Sequence, residues 1–197
     1  MSYIDIDLYL GSFISMEKIS TQVKHHFSDK YRHVVKFYMF LYKNNDVPYH
    51  LKQSIWDSAI KSTLFYGAET WLTRDLAVAE STYLATVKRM LGVRSSTTTD
   101  LVLIEAGIPP PKAYVQQKQH LFIHKLTARD GFWESYIGKA VSLSLQHKTE
   151  AGRLIKFYMN TPPEHDFLSH SMEQVKRSVQ TSISTSAMKF RLKSMYY

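Results

Sequence analysis

Asp5 and Asp7 stand two apart in an alternating stretch, so both carboxylates fall on one strand face, an arrangement that can bring two oxygens to a divalent cation. The pair is read as solvent-facing on an exposed strand. His120 and His124 are one helical turn apart and could offer two imidazoles to zinc, but the residues between them do not make His-Glu-x-x-His and no third ligand is evident. They are expected to be exposed polar side chains, and His165 and His170 carry the same reading. The absence of cysteine excludes a thiol nucleophile, a disulfide framework and any Cys-ligated zinc or iron–sulfur site. Neither a nucleophile elbow nor a Gly-rich phosphate loop is present, since the seven glycines are scattered. What remains is a line of positive charge. At about 100° per residue, His25, Arg32, Lys36 and Lys43 fall within roughly 20° of one line, opposite the apolar Ile19, Val23, Phe27, Val34, Tyr38 and Leu41. Such a face can follow a sugar–phosphate backbone. Lys88 and Arg89 form a second basic pair. Trp56 and Trp71 could stack on bases, but core packing is expected at their positions.

The composition agrees with a polyanionic partner. Lys and Arg number 25 against 17 Asp and Glu in 197 residues, a net charge of +8, and 44% of the chain is hydrophobic. The excess is spread over the whole length: 12 basic residues against 9 acidic up to Thr98, and 13 against 8 beyond it. The longest apolar stretch, Val34 to Tyr42, is interrupted by Lys36 and falls far short of the roughly 20 residues a membrane span needs. No secretory leader is recognisable at the N-terminus, so an intracellular protein, nuclear or cytoplasmic, with no membrane contact is expected.

The elements that must carry these residues are mostly helical. Tyr3 to Leu10 alternates with the period of a strand, Gly11-Ser12 turns, and Phe13 to Ser15 makes a second short strand, so a β-hairpin is predicted over 1–17. Helical spacing runs from Lys18 to Lys43, and again from Pro48 to Leu64, where Leu51, Ile55, Trp56, Ala59, Ile60 and Leu64 are expected to face inward, with Gly67 as the stop. A third helix follows Thr73 and ends at Gly92, and a short one capped by Asp100 closes at Gly107. Pro109-Pro110-Pro111 is the predicted internal boundary. Beyond it, Tyr114 to Leu126, Phe132 to Leu145 and Ala151 to Met159 read as helices, and Glu164 to Gln180 as weakly helical. The basic end with Lys189, Arg191 and Lys193 is expected to be poorly ordered. The fold class predicted is mainly α: a helical bundle over 18–108, a small N-terminal β-hairpin, and a C-terminal helical segment over 109–197.

Three blocks in this order resemble a known family. Tyr9-Leu10-Gly11-Ser12-Phe13-Ile14-Ser15, then Ser62-Thr63-Leu64-Phe65-Tyr66-Gly67-Ala68-Glu69-Thr70-Trp71, then Val87-Lys88-Arg89-Met90-Leu91-Gly92-Val93, are similar to segments of non-LTR (LINE-type) retrotransposon reverse transcriptases that lie C-terminal to the catalytic aspartates. The resemblance covers about residues 8 to 126. It implies that Tyr9, Gly11 and Ser12 belong to a primer grip, and that the helices from Lys18 to Gly92 form a thumb. Arg32, Lys36 and Lys43 then track an RNA/DNA primer–template, with Lys88 and Arg89 as a second patch. The family's aromatic-x-Asp-Asp hairpin should precede Leu8, where only seven residues stand. The chain is therefore expected to be a fragment without the catalytic palm: inactive alone, with no cofactor of its own, magnesium belonging to the parent enzyme, and with the missing palm and fingers as potential partners. The usual Asp-Gly after the second strand is also absent. Glu69 is expected to brace its loop by hydrogen bonding. The alternative reading is a decayed or domesticated helical protein-interaction module with no nucleic-acid role.

Overall fold

The computed structural model describes residues 6–9, 12–15 and 18–194, with side chains described over 18–185. Asp5 and Gly11 lie outside the described residues. The backbone of β1, Ile6–Tyr9, pairs antiparallel with β2, Ser12–Ser15, placing Tyr9 opposite Ser12, and β2 runs against the first helix. Among the described residues everything that follows is helix, turn and loop, so the architecture is mainly α.

Helix α1, Ile19–Lys43, is amphipathic over its whole length. Val23, His26, Phe27, Val34, Phe37 and Leu41 are buried, and each large apolar side chain among them contributes about 1.5–3 kcal/mol by leaving water. The helix stops at Asn44, whose side-chain amide donates to the Phe40 carbonyl at 2.9 Å.

The second helical rod differs from the regular helix expected. It is α2, Tyr49–Ile55, then a wide π-type turn over Trp56–Lys61, then α3, Ser62–Leu64. Lys52, Trp56, Ile60 and Leu64 are buried in a row spaced by four, whereas Leu51 is 47% exposed. In a regular helix a four-residue step drifts about 40° round the axis, so this row would spread over roughly 120°. The wider turns hold it closer to one face. The buried end of the Lys52 side chain is satisfied by the Asn45 carbonyl at 3.0 Å.

Gly67 adopts φ +72° and turns the chain into a short 3-10 segment, Ala68–Thr70. Helix α4, Ala77–Leu91, ends at Gly92, which is left-handed at φ +69°. Next come α5, Thr99–Ala106, and α6, Pro111–Thr127. Asp100 sits inside the first turn of α5, with Thr98 at the cap position, and accepts a hydrogen bond from Ser178 Oγ at 2.8 Å. Pro111 occupies the first turn of α6, where its missing N–H costs nothing. Helices α7, Tyr136–Gln146, and α8, Glu150–Asn160, are capped by the hydroxyls of Ser135 and Thr149.

Two cores result. The larger joins α1 to α5 around Trp56, Leu64, Phe65, Tyr83 and Val87, and also takes in Ile108 and Val115. The smaller holds Ile123, Leu154, Ile155, Tyr158 and Phe167. Because Val115 and Ile123 both belong to α6, that helix is rooted in both cores. The triple proline leads directly into this helix. Helix α9, Phe167–Ser194, runs through the Ser/Thr-rich stretch that follows Gln180. Along the stretch, the hydroxyls of Thr181, Ser182, Ser184 and Thr185 each donate to the carbonyl four residues back, so they do not compete for the helix's own N–H groups.

Candidate nucleic-acid interface

Arg32, Lys36 and Lys43 are all exposed on the side of α1 that faces away from the core. The helix carries five Lys and Arg against a single acid, Asp29. Asp29 pairs with its neighbour Lys30 at 2.8 Å, and this hydrogen bond, with lesser help from the Arg32 charge, holds its carboxyl below the usual range. Among the described residues, none forms an ion pair with Arg32, Lys36 or Lys43. Among the described residues the three cations therefore present a row without ion-pair partners.

The other residues singled out from sequence are distributed as follows. Tyr9 and Ser12 face each other across the strand pair, and Gly11 lies outside the described residues. Lys88 and Arg89, adjacent in sequence, do not act together. Lys88 Nζ donates to the Ser95 carbonyl at 2.6 Å and so braces the loop after α4. Arg89 swings to α1, its guanidinium carbon 4.1 Å from the ring centroid of Tyr38. Only Arg89 extends the charge of α1. Glu69 lies 3.9 Å from Lys118 Nζ, and the same ammonium donates to the Phe65 carbonyl, so the turn after α3 is braced against α6.

Neither Trp56 nor Trp71, the two tryptophans considered for base stacking, is available at the surface. Trp56 is fully buried and Trp71 nearly so. The exposed aromatics of α1 are Tyr31 and Tyr42, at 48% and 84%, with Val35 and Met39 between them. No sequence signal separated them from core residues, because they share the helix with a continuous apolar face.

Of the four histidines expected to be exposed, His170 is exposed, His124 and His165 are half-buried, and His120 parts from expectation. His120 is fully buried, and its Nε2 donates to the Thr161 carbonyl at 3.4 Å, while His124 reaches the carbonyls of Tyr158 and Thr161 at 3.0 Å. The two rings, 4.6 Å apart, close the chain where α8 ends. Burial lowers the His120 pKa. Among the described residues no group of three or more His, Asp or Glu is placed to hold a metal ion. His26, not noticed in the sequence, is buried against Trp71 and donates to the Leu64 carbonyl at 3.1 Å, with its pKa also lowered by burial.

No family model, curated protein or solved structure matches this chain. Function therefore has to be argued from its own residues. No described helix is long and apolar enough to cross a membrane. The exposed row of Arg32, Lys36 and Lys43, with Arg89 on its flank, is the arrangement best suited to a ligand, and its chemistry is that of phosphate binding.

Proposed function

We propose that the chain is the primer/template-binding segment of an RNA-directed DNA polymerase of the non-LTR retrotransposon type, contributing position to the reaction and no catalytic group. The observation that carries this reading is the row Arg32, Lys36 and Lys43, aligned on the solvent side of a helix whose opposite side is anchored in the core. From Arg32 to Lys43 the row spans about 16 Å at 1.5 Å per residue. That is close to the axial rise of five nucleotides of one strand, at about 3.4 Å each along the duplex axis. The three family-like blocks support it by order and position: the first falls on the strand pair, the second on the turn at Gly67, and the third on the end of α4 at Gly92. In this reading the strand pair with Tyr9, Gly11 and Ser12 is a primer grip, α1 is a thumb helix, and the RNA/DNA duplex lies along its cationic row.

The test is equilibrium binding of the full chain to an RNA/DNA duplex across a salt series. Affinity should fall steeply with salt, and Arg32→Glu with Lys36→Glu should weaken binding and reduce the log–log slope by about 2. Binding that is absent, or indifferent to salt, would favour the protein-interaction reading. The apolar side chains on α7, Ile137 and Leu143, both more than half exposed, would then be the first surface to probe.

A further inference from the structure

The cationic row of α1 has an apolar companion. Tyr31, Val35, Met39 and Tyr42 are 48%, 44%, 52% and 84% exposed, and all lie on the same flank of the helix. At about 100° per residue this ridge is centred roughly 80° round the axis from Arg32, Lys36 and Lys43. On a helix about 10–12 Å across, that arc is about 7–8 Å, a span comparable to the reach across one nucleotide from base to phosphate. The pairing is also local in sequence. Tyr31 is followed by Arg32, Val35 by Lys36 and Tyr42 by Lys43, so three of the four apolar residues, both tyrosines included, have a cation beside them. The flank continues onto α4 through Tyr38, whose ring carries the Arg89 guanidinium.

We propose that this outer face of α1 binds single-stranded nucleic acid, with Tyr31 and Tyr42 stacking on unpaired bases while Arg32, Lys36 and Lys43 hold the phosphates. The inference rests on the nucleic-acid reading above and adds a substrate class to it. A duplex hides the faces of its bases, so it can use the cations but not the tyrosines. A single strand can use both, because every base has a π-face and an aromatic ring accepts it without regard to sequence. Charge decides between a strand and an apolar protein surface. Five cations against one acid on α1 would repel a basic partner and leave cations unpaired against a neutral one, whereas a phosphate chain neutralises them at regular intervals. Met39, between the tyrosines, supplies polarisable contact area that tolerates different bases.

The experiment compares the full chain's affinity for fluorescein-labelled (U)20 and (dT)20, which have no structure of their own, with its affinity for a 20-base-pair RNA/DNA duplex. Tyr31→Ala and Tyr42→Ala should each weaken binding to the single strands about tenfold and leave the duplex nearly unchanged. Tyr31→Phe and Tyr42→Phe, which keep the ring, should bind as the parent does, and they separate stacking from loss of fold or of a hydroxyl contact. Arg32→Glu with Lys36→Glu should weaken all three ligands. If duplex binding persists but the alanine variants bind (U)20 and (dT)20 as well as the parent, or lose duplex and single strands equally, the stacking inference falls and the broader reading stands. If the parent binds none of the three at low salt, both fall. A preference between (U)20 and (dT)20 would tell whether the strand is RNA or DNA.

Discussion

Arg89 of α4 lies over the ring of Tyr38 of α1, 4.1 Å from its centroid, and Tyr38 Oη shares a hydrogen bond of 3.1 Å with Thr86, one turn earlier on α4. One tyrosine thus receives both a cation and a hydroxyl from the neighbouring helix. The contact fixes α4 against α1 and leaves the Arg89 charge beside the cationic row. Tyr38→Phe should keep the cation–π contact and remove only the hydroxyl contact, costing about 1 kcal/mol. Arg89→Ala should cost about 0.5–1 kcal/mol of stability and, if the row binds phosphates, reduce the salt slope of duplex binding by about 1. Urea denaturation and a binding titration read the two effects separately.

A buried polar chain joins both cores. Tyr158 Oη donates to Gln119 Oε1 at 2.6 Å, and the Gln119 amide nitrogen donates to the carbonyl of Trp71, with Ala68 at 3.5 Å. Gln119 and Tyr158 are almost wholly buried, so water cannot replace a lost partner. Burial also pushes the Tyr158 hydroxyl pKa up, which keeps it a neutral donor at all ordinary pH. Gln119→Leu should therefore strand the tyrosine hydroxyl and the Trp71 carbonyl together, at about 2–4 kcal/mol, whereas Tyr158→Phe strands only one acceptor and should cost about 1–2 kcal/mol. The larger loss for Gln119→Leu, seen in urea midpoints at equal m-value, is the expected result, and equal losses would contradict the chain as described.

Stability should fall on mild acidification. His26 and His120 both have pKa values lowered by burial from an ordinary 6.5. For His26 the Leu64 carbonyl pulls in the opposite direction, as Thr161 does for His120, and in each case burial wins. The unfolded chain binds protons first, so the stabilisation is full above pH 6.5 and is lost as pH falls through the lower folded values. Each group contributes a slope of up to about 1.4 kcal/mol per pH unit. His26→Gln, which keeps a donor near Leu64 but does not titrate, should flatten the profile of unfolding free energy between pH 7 and 5. An unchanged profile would remove His26 from the account.

Gly152 is required where α8 meets α7. A Cβ there would sit 2.1 Å from the Ser144 carbonyl oxygen, which is backbone and cannot swing aside. Gly152→Ala should destabilise the chain by about 3 kcal/mol even though alanine has the higher helix propensity. Ala151→Gly, at the neighbouring position, should cost only about 1 kcal/mol, the propensity term alone. Thermal unfolding of the two variants distinguishes a close approach from a general intolerance of change.

What could be read from the sequence was local. Helical spacing located the helices up to α8 within a few residues but stopped the last one at Gln180, Gly67 and Gly92 announced their own stops because a left-handed residue is written into the chain, and the alignment of Arg32, Lys36 and Lys43 follows from helix geometry alone. The burial of Trp56 and Trp71 followed from size and apolarity. Polar residues were misjudged because their environment is made by other elements. His120 is buried only because the end of α8 closes over it, and Gln119 is a buried hub only because Trp71 and Tyr158, 48 residues before it and 39 after it, arrive at its two ends. The same reason separates Lys88 from Arg89, neighbours in sequence whose side chains serve a loop and another helix. Periodicity gives a helix its faces, but what each face meets is decided by packing between distant segments. The exposure of Tyr31 and Tyr42, on which the stacking inference depends, belongs to that second kind of information.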